Sequence, residues 1–163
     1  MSIYLKSADI QGSVTTKGFE NTFEVLSATF GQQRSVGSRV GKVGTVDSSL
    51  SAVSEVVITK IYDVASTKLF ELSFSGKILG NMVISFVRQD QTGPITYSEI
   101  TLTDVVISNY QFAGLGGAGT DAPTETINLN WGTFSIKNTP AAKDGTAGTP
   151  STTGWNLGTN SKI

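Results

Sequence analysis

The chain has 163 residues, no cysteine, no histidine and a formal net charge of −1. This composition excludes disulfides, thiol nucleophiles, the usual zinc sites and the commonest general base near neutral pH. The scattered lysines and arginines argue against nucleic-acid binding, and no apolar run is long enough to span a membrane. Because residues 1–12 lack the apolar core of a signal peptide, we expect the protein to fold in the cytoplasm.

The first two strands are predicted at residues 2–11 and 23–33. In the second strand the apolar face carries Leu26, Ala28 and Phe30. Ser27 and Thr29 lie on the opposite face, which is small and mildly polar. A face of this kind is expected to meet water or a lumen.

Residues 35–54 form a long segment rich in glycine and serine. Loops of this length are usually functional or disordered. Regularly spaced aliphatic residues, which linkers seldom carry, occur at Val36, Val40, Val43, Val46 and Leu50. Two interpretations stay open: a mobile surface loop, or an arm that becomes ordered when it contacts another subunit.

One short helix is predicted within residues 63–77, after a strand at 55–62. Ser66 is the predicted N-cap, and Gly76 is the predicted left-handed residue that ends the helix. A helix this short is not stable alone in water, so its apolar face should pack as a plug against a sheet. That face consists of Leu69, Phe70, Leu72 and Phe74.

The remaining long strands are predicted at 78–89, 95–112 and 124–138. In the last of these the apolar positions change parity at Gly132, which is typical of a β-bulge. Residues 139–153 are predicted to form a flexible loop, and Trp155 to anchor the C-terminal segment. The pattern predicts one mostly β domain over residues 1–163: a partly open antiparallel β-barrel, or two packed sheets, with one short α-helix and a long extended loop.

Candidate chemical sites are weak in this sequence. Residues 114–119 match the dinucleotide-binding spacing G-x-G-x-x-G, but a predicted strand follows instead of a helix, which favours an interstrand loop. A glycosidase-like pair among the scattered carboxylates stays open, although solvated charges are favoured. The carboxylates considered are Asp90, Glu99, Asp104 and Glu125. We therefore predict no catalytic residue, no cofactor and no metal site.

Several short motifs follow one another from Ile3-Tyr4-Leu5-Lys6 to Gly154-Trp155-Asn156. The most specific are Thr59-Lys60, Asp63, Ser66, Ser75-Gly76-Lys77, Ile100-Thr101-Leu102-Thr103-Asp104-Val105, and Thr124-Glu125 followed by Leu129, Trp131 and Pro140. Their order resembles the haemolysin-coregulated protein (Hcp) family, the tube subunit of bacterial type VI secretion. The chain departs from the family pattern where Arg39 and Val40 interrupt the glycine run of the arm. The turn at residues 13–18 also lacks the family's acidic residue.

The resemblance implies a homohexameric ring that stacks into a hollow tube inside a contractile sheath. It also implies sheath and spike partners, effector cargo in the lumen, and secretion without a signal peptide. On this basis Ser27 and Thr29 are expected to line the lumen. The residues expected to make ring-stacking contacts are Val40, Lys42, Val43 and Leu50.

Two alternatives stay open. The first is a tube protein of a related phage-tail-like contractile particle. The second is a ligand-binding β-barrel or a carboxylate-dependent hydrolase. A stable hexamer would favour a tube subunit, whereas a monomer with a deep acidic cleft would favour the enzyme.

Overall fold

Fifteen strands and one helix are formed by the residues that the computed structural model describes, which are 1–37, 47–48, 51–90, 93–117, 122–142 and 146–163. In chain order they are β1 (Ser2–Ser7), β2 (Phe23–Val25), β3 (Ser27–Thr29), β4 (Gln32–Gln33), β5 (Val36–Gly37), β6 (Asp47–Ser48), β7 (Ala52–Val53), β8 (Val56–Ile61), α1 (Ser66–Ser75), β9 (Met82–Asp90), β10 (Gly93–Thr103), β11 (Val106–Ala113), β12 (Thr124–Asn130), β13 (Thr133–Asn138), β14 (Ser151–Asn156) and β15 (Ser161–Lys162).

The strands form two main antiparallel sheets that share one core. The seven-stranded sheet has the order β15-β14-β13-β10-β9-β1-β2, and the four-stranded sheet has the order β11-β12-β8-β3. Alternate side chains of both sheets point towards each other and exclude water. Fully buried examples are Leu5, Ile84 and Leu102 of the larger sheet and Ile58, Ile127 and Leu129 of the smaller one. None of the helices in the described part of the chain is long and apolar enough to cross a bilayer.

The chain passes directly from one sheet to the other at three corners, and a fourth passage, from β8 to β9, runs through α1. Leu26 separates β2 from β3, and its N–H donates a hydrogen bond to the Thr59 carbonyl at 2.7 Å. Asp104 adopts a left-handed conformation (φ 53°) between β10 and β11. Gly132 separates β12 from β13, and its N–H donates to the Thr103 carbonyl at 2.9 Å. The second and third corners therefore lie against each other.

These corners correct several strand predictions. The predicted single strands that prove to be divided are 23–33, 95–112 and 124–138. The parity change at Gly132 is real, but it marks a change of sheet and not a bulge within one strand. Val25 is buried and Leu26 is exposed, as the alternation of β2 requires, and after the corner the core-facing position is the even-numbered Ala28. The first strand ends at Ser7, before its predicted end at residue 11.

The helix lies against β11 and contributes only part of its predicted apolar face to the core. Leu69 and Leu72 are buried. The Phe70 ring is half-exposed but packs on the Tyr110 ring of β11, with centroids 5.3 Å apart, as the predicted plug requires. Phe74 is 78% exposed, so its assignment to the plug is wrong. Phe70 and Phe74 lie one helical turn apart, and their rings pack against each other with centroids 4.9 Å apart. Gly76 ends the helix with φ 60°, as predicted.

The predicted N-cap is wrong by one residue. Ala65 occupies the N-cap position without a side-chain hydrogen bond, and Ser66 is the first helical residue. The Ser66 hydroxyl accepts a hydrogen bond from the Asp63 N–H at 2.8 Å. Asp63 in turn accepts from the Ala65 N–H at 2.9 Å, so these polar groups fold the turn that precedes the helix.

The C-terminal segment is more ordered than predicted. Residues 151–153, placed in a flexible loop by the sequence, begin β14, which pairs with β13 along its whole length. Ala141 and Ala147 also form an isolated antiparallel bridge. Trp155 lies opposite Phe134 in this ladder, and its indole Nε1 donates to Asn160 Oδ1 at 3.2 Å.

Candidate functional site

Short, mostly polar side chains cover the outward face of the four-stranded sheet, here called the polar face. Its register places two rows of side chains across β3, β8, β12 and β11. The first row is Ser27, Thr59, Thr126 and Gln111, and the second is Thr29, Val57, Asn128 and Asn109. Ser27 and Thr29 are exposed on the edge strand, while the intervening Ala28 pairs with Ile58 on the core side.

Glu55 lies at the end of the polar face, directly before β8. Its carboxylate accepts hydrogen bonds from Asn128 Nδ2 at 3.0 Å and Asn130 Nδ2 at 3.4 Å. Hydrogen bonds from the side chains of Ser108 and Asn128 lower the pKa of Glu55, because they stabilise the ionised carboxylate more than burial destabilises it. Glu55 is therefore ionised at neutral pH.

The predicted arm begins as an antiparallel hairpin. β4 pairs with β7, and β5 pairs with β6. At its base Gly31 and Ser54 exchange hydrogen bonds, with the Gly31 N–H donating to Ser54 Oγ at 2.6 Å and the Ser54 N–H donating to the Gly31 carbonyl at 2.9 Å. The predicted stacking residues lie outside the described residues; they are Val40, Lys42, Val43 and Leu50.

An aromatic cleft of about 440 Å³ opens beside the base of the arm. Its aromatic lining consists of Phe30, Trp131, Phe134 and Trp155. The Phe30 and Phe134 ring centroids are 4.8 Å apart, and those of Trp131 and Phe134 are 5.3 Å apart. The predicted anchor Trp155 thus contributes to the cleft wall, and the cleft connects the C-terminal strands to the arm.

A buried ionic network joins the end of β8 to β12. Lys60 and Glu125 have no solvent-exposed side-chain surface, and Lys60 Nζ lies 3.2 Å from Glu125 Oε2. Lys60 Nζ also lies 2.8 Å from Asp63 Oδ1 and donates to the Ile61 carbonyl at 2.8 Å. The Tyr110 hydroxyl donates to Glu125 Oε1 at 2.8 Å, so both carboxylate oxygens have partners.

Each charged group of this network has a partner within the protein. Burial, followed by the hydrogen bond to Glu125, raises the pKa of Tyr110, so the phenol stays protonated and remains a donor. Every buried side-chain nitrogen and oxygen of the described residues has a hydrogen-bond partner. The expectation that Glu125 is a solvated charge is therefore wrong. The network fixes the junction between β8, β12 and the turn before α1.

The other sequence candidates are not brought together. Glu99 lies opposite Lys137 on paired strands, and Asp104 occupies a corner, so neither meets Glu125. In the part of the chain that the structure describes, no three carboxylate side chains are grouped to hold a metal ion. β12, and not a helix, follows the glycine-rich segment 114–119, of which the structure describes residues 114–117. That arrangement lacks the helix N-terminus a pyrophosphate needs.

Sequence comparison identifies type VI secretion proteins as similar to this chain. The family model described as "Type VI secretion system effector, Hcp" matches residues 4–137. The protein hcp1 of Pseudomonas aeruginosa is 28% identical over 109 residues, which are 66% of this chain and 66% of that relative.

Solved structures reproduce the fold from end to end. A structure of a type six secretion system protein superposes with a TM-score of 0.91 and 26% identity, covering 99% of both chains. Hcp1 from Salmonella typhimurium has a TM-score of 0.77 and 23% identity, covering 99% of this chain and 98% of its own. This second superposition shows that the fold is shared over nearly the whole length of both chains.

Proposed function

The chain belongs to the Hcp family of type VI secretion proteins, and from this premise we propose that it is a structural subunit of the secretion tube. Six copies form a ring, and rings stack into a hollow tube. The tube lies inside a contractile sheath, carries a spike at its tip and is secreted. The observation that carries the proposal is the family match over residues 4–137, together with the end-to-end superposition on a type six secretion system protein.

We place the polar face on the inside of the ring. Its described residues carry short hydroxyl and amide groups with one charge, at Glu55. Small polar side chains leave space and offer no large apolar surface, which suits a wall along which cargo is carried and then released. Ser27 and Thr29, exposed at the edge strand of this face, are the proposed lumen residues.

We assign ring stacking to the arm. Head-to-tail contacts that close a ring already use two different complementary surfaces on each subunit, so the stacking of rings needs a further surface. The hydrogen-bonded base at Gly31 and Ser54 fixes where the arm leaves the sheets. The proposed stacking residues are Val40, Lys42, Val43 and Leu50.

Cysteine labelling tests the placement of the polar face, because the chain has no cysteine of its own. Thr29→Cys should react with a small maleimide in every assembly state but be protected from a large PEG-maleimide in stacked tubes. Thr152→Cys, on the exposed β14 of the other sheet, is the matched control and should react with both reagents. Equal PEG labelling of the two variants in tubes would contradict the lumen assignment.

Negative-stain electron microscopy tests the arm. Deletion of residues 39–48 should leave rings but prevent tubes. Replacement of the same residues by a glycine–serine segment of equal length tests whether stacking depends on their side chains or only on the length of the arm. Tubes of normal length from the deletion variant would refute the stacking assignment. A wild-type protein that is monomeric by native mass spectrometry would refute the tube function itself.

A further inference from the structure

The polar face carries very few charged side chains. Across its strands the side chains are hydroxyls, amides and a few aliphatic groups, among them Val57 and the exposed Ile61, and among the described residues Glu55 is the one charged side chain. No lysine or arginine of the described residues forms an ion pair with it. Its hydrogen-bond partners Asn128 and Asn130 are neutral, so they hold the carboxylate in place without cancelling its charge.

The rest of the face gives a neutral or acidic polypeptide little to bind. The two central rows contain a single aliphatic residue, Val57, and no aromatic residue. When hydroxyl and amide groups bind a partner, they lose hydrogen bonds to water and form hydrogen bonds to the partner, so the net gain in free energy is small. A fixed negative charge therefore decides which partner the face prefers, because an enclosed wall of one sign concentrates the opposite charge.

We propose that the polar face selects basic cargo, meaning a polypeptide segment with an excess of lysine and arginine, through the Glu55 carboxylate. The inference rests on the proposed function, since a ring of six copies brings six Glu55 carboxylates around one lumen. Each contact is weak and exposed, so selection comes from their number and from charge complementarity. Weak individual contacts also let the cargo leave after delivery.

Fluorescence anisotropy with two labelled peptides tests this inference on the assembled protein. Oligolysine should bind the ring more tightly than oligoglutamate of equal length. Glu55→Gln, which keeps an oxygen acceptor for Asn128, should weaken oligolysine binding by about tenfold at low salt. Glu24→Gln is the matched control, because Glu24 is an exposed carboxylate on β2 of the other sheet, and it should bind like the wild type.

Charge reversal and salt provide a second measurement. Glu55→Lys should reverse the preference towards oligoglutamate, and raising the salt concentration should abolish the preference of the wild type. Native mass spectrometry of each variant verifies the ring. Intact rings that bind both peptides equally, or a Glu55→Gln ring that binds oligolysine like the wild type, would overturn the inference and leave the tube function standing. A monomeric wild type would overturn both.

Discussion

Replacement of Lys60 by methionine should destabilise the protein severely. The lysine Nζ has four acceptors in the structure: the Ile61 carbonyl, Asp63 Oδ1, Ser66 Oγ and Glu125 Oε2, at 2.8 to 3.3 Å. Methionine fills a similar volume but donates no hydrogen bond. Glu125 would then be a fully buried carboxylate with one remaining partner.

The magnitude follows from the burial of both partners. Removal of one member of a buried ion pair costs about 3–5 kcal/mol, mostly because the other charge is left buried and unpaired. Glu125 keeps only the hydrogen bond from the Tyr110 hydroxyl, which does not neutralise its charge. The double variant Lys60→Met/Glu125→Leu leaves no unpaired charge in the core. It should therefore recover most of the lost free energy of unfolding.

Urea unfolding at pH 7 and a fixed protein concentration provides the assay, because assembly also contributes to stability. With a slope of about 2 kcal/mol/M, the midpoint of Lys60→Met should fall by roughly 2 M. The control is Lys68→Met, which breaks the exposed pair between Lys68 and Glu71 on α1 and should cost less than about 0.5 kcal/mol. The reasoning would be refuted if Lys60→Met and Lys68→Met lost equal free energy of unfolding. It would also be refuted if the loss in the double variant equalled the sum of the losses in Lys60→Met and Glu125→Leu.

Three further predictions concern the end of the helix, the C-terminal strand and the half-buried phenol of Tyr110. Gly76→Ala should lower Tm in calorimetry by the equivalent of about 1 kcal/mol, because φ 60° strains any residue with a Cβ. Gly154→Ala should cost at least as much, since a Cβ would meet the Ile163 side chain and the Phe134 carbonyl oxygen, each at 2.7 Å, and chymotrypsin should then release the C-terminus faster. The contribution of Tyr110 to the free energy of unfolding should be fully present below pH 10 and be lost as the pH rises above 10. The reason is that the pKa of Tyr110 is raised in the folded protein, so the unfolded chain loses this proton first. Tyr110→Phe should reduce the alkaline loss of stability measured by urea unfolding.

A single result would contradict each of these three predictions. Gly116→Ala is the control for the helix end, because Gly116 lacks a positive φ and has open space around it; equal losses at Gly76 and Gly116 would refute the conformational argument. An unchanged proteolysis rate for Gly154→Ala would contradict the clash that we expect with Ile163 and the Phe134 carbonyl. An alkaline fall in stability that is identical in wild type and Tyr110→Phe would place its origin elsewhere.

The sequence was sufficient for the fold class and for the end of the helix. Alternation of apolar residues identifies the segments that become strands, and glycine at position 76 identifies the left-handed turn. Alternation does not show which sheet a strand joins, because both sheets face the same core. The corners at Leu26, Asp104 and Gly132 were therefore read as continuous strand, although the parity change at Gly132 was a local signal.

The buried network was missed for a related reason. Charged residues in strands are usually solvated, so Glu125 was assigned to the surface. The available signal was parity: Lys60 follows Val56 and Ile58 at two-residue steps, and Glu125 precedes Ile127 in the same way. Both charges thus occupy core positions of adjacent strands. Their pairing depends on the register between β8 and β12, which places Lys60 directly opposite Glu125.

The aromatic cleft could not be predicted because its aromatic residues come from three separate segments of the chain. Phe30, Trp131, Phe134 and Trp155 meet only after the corner at Gly132 turns β13 towards the C-terminal strand. Sequence did single out Trp155 as more than a tail residue. It did not indicate that Phe30, at the start of the arm, lies in the same cleft.

The three corners also bear on how the subunit responds to force. Because the backbone crosses between the sheets at Leu26, Asp104 and Gly132, the two layers cannot slide past each other unless the backbone at these corners changes conformation. A push applied to one layer is consequently transmitted to both. We expect the linked sheets to resist deformation and to unfold together under force. Such stiffness suits a tube subunit that is driven rapidly along the tube axis.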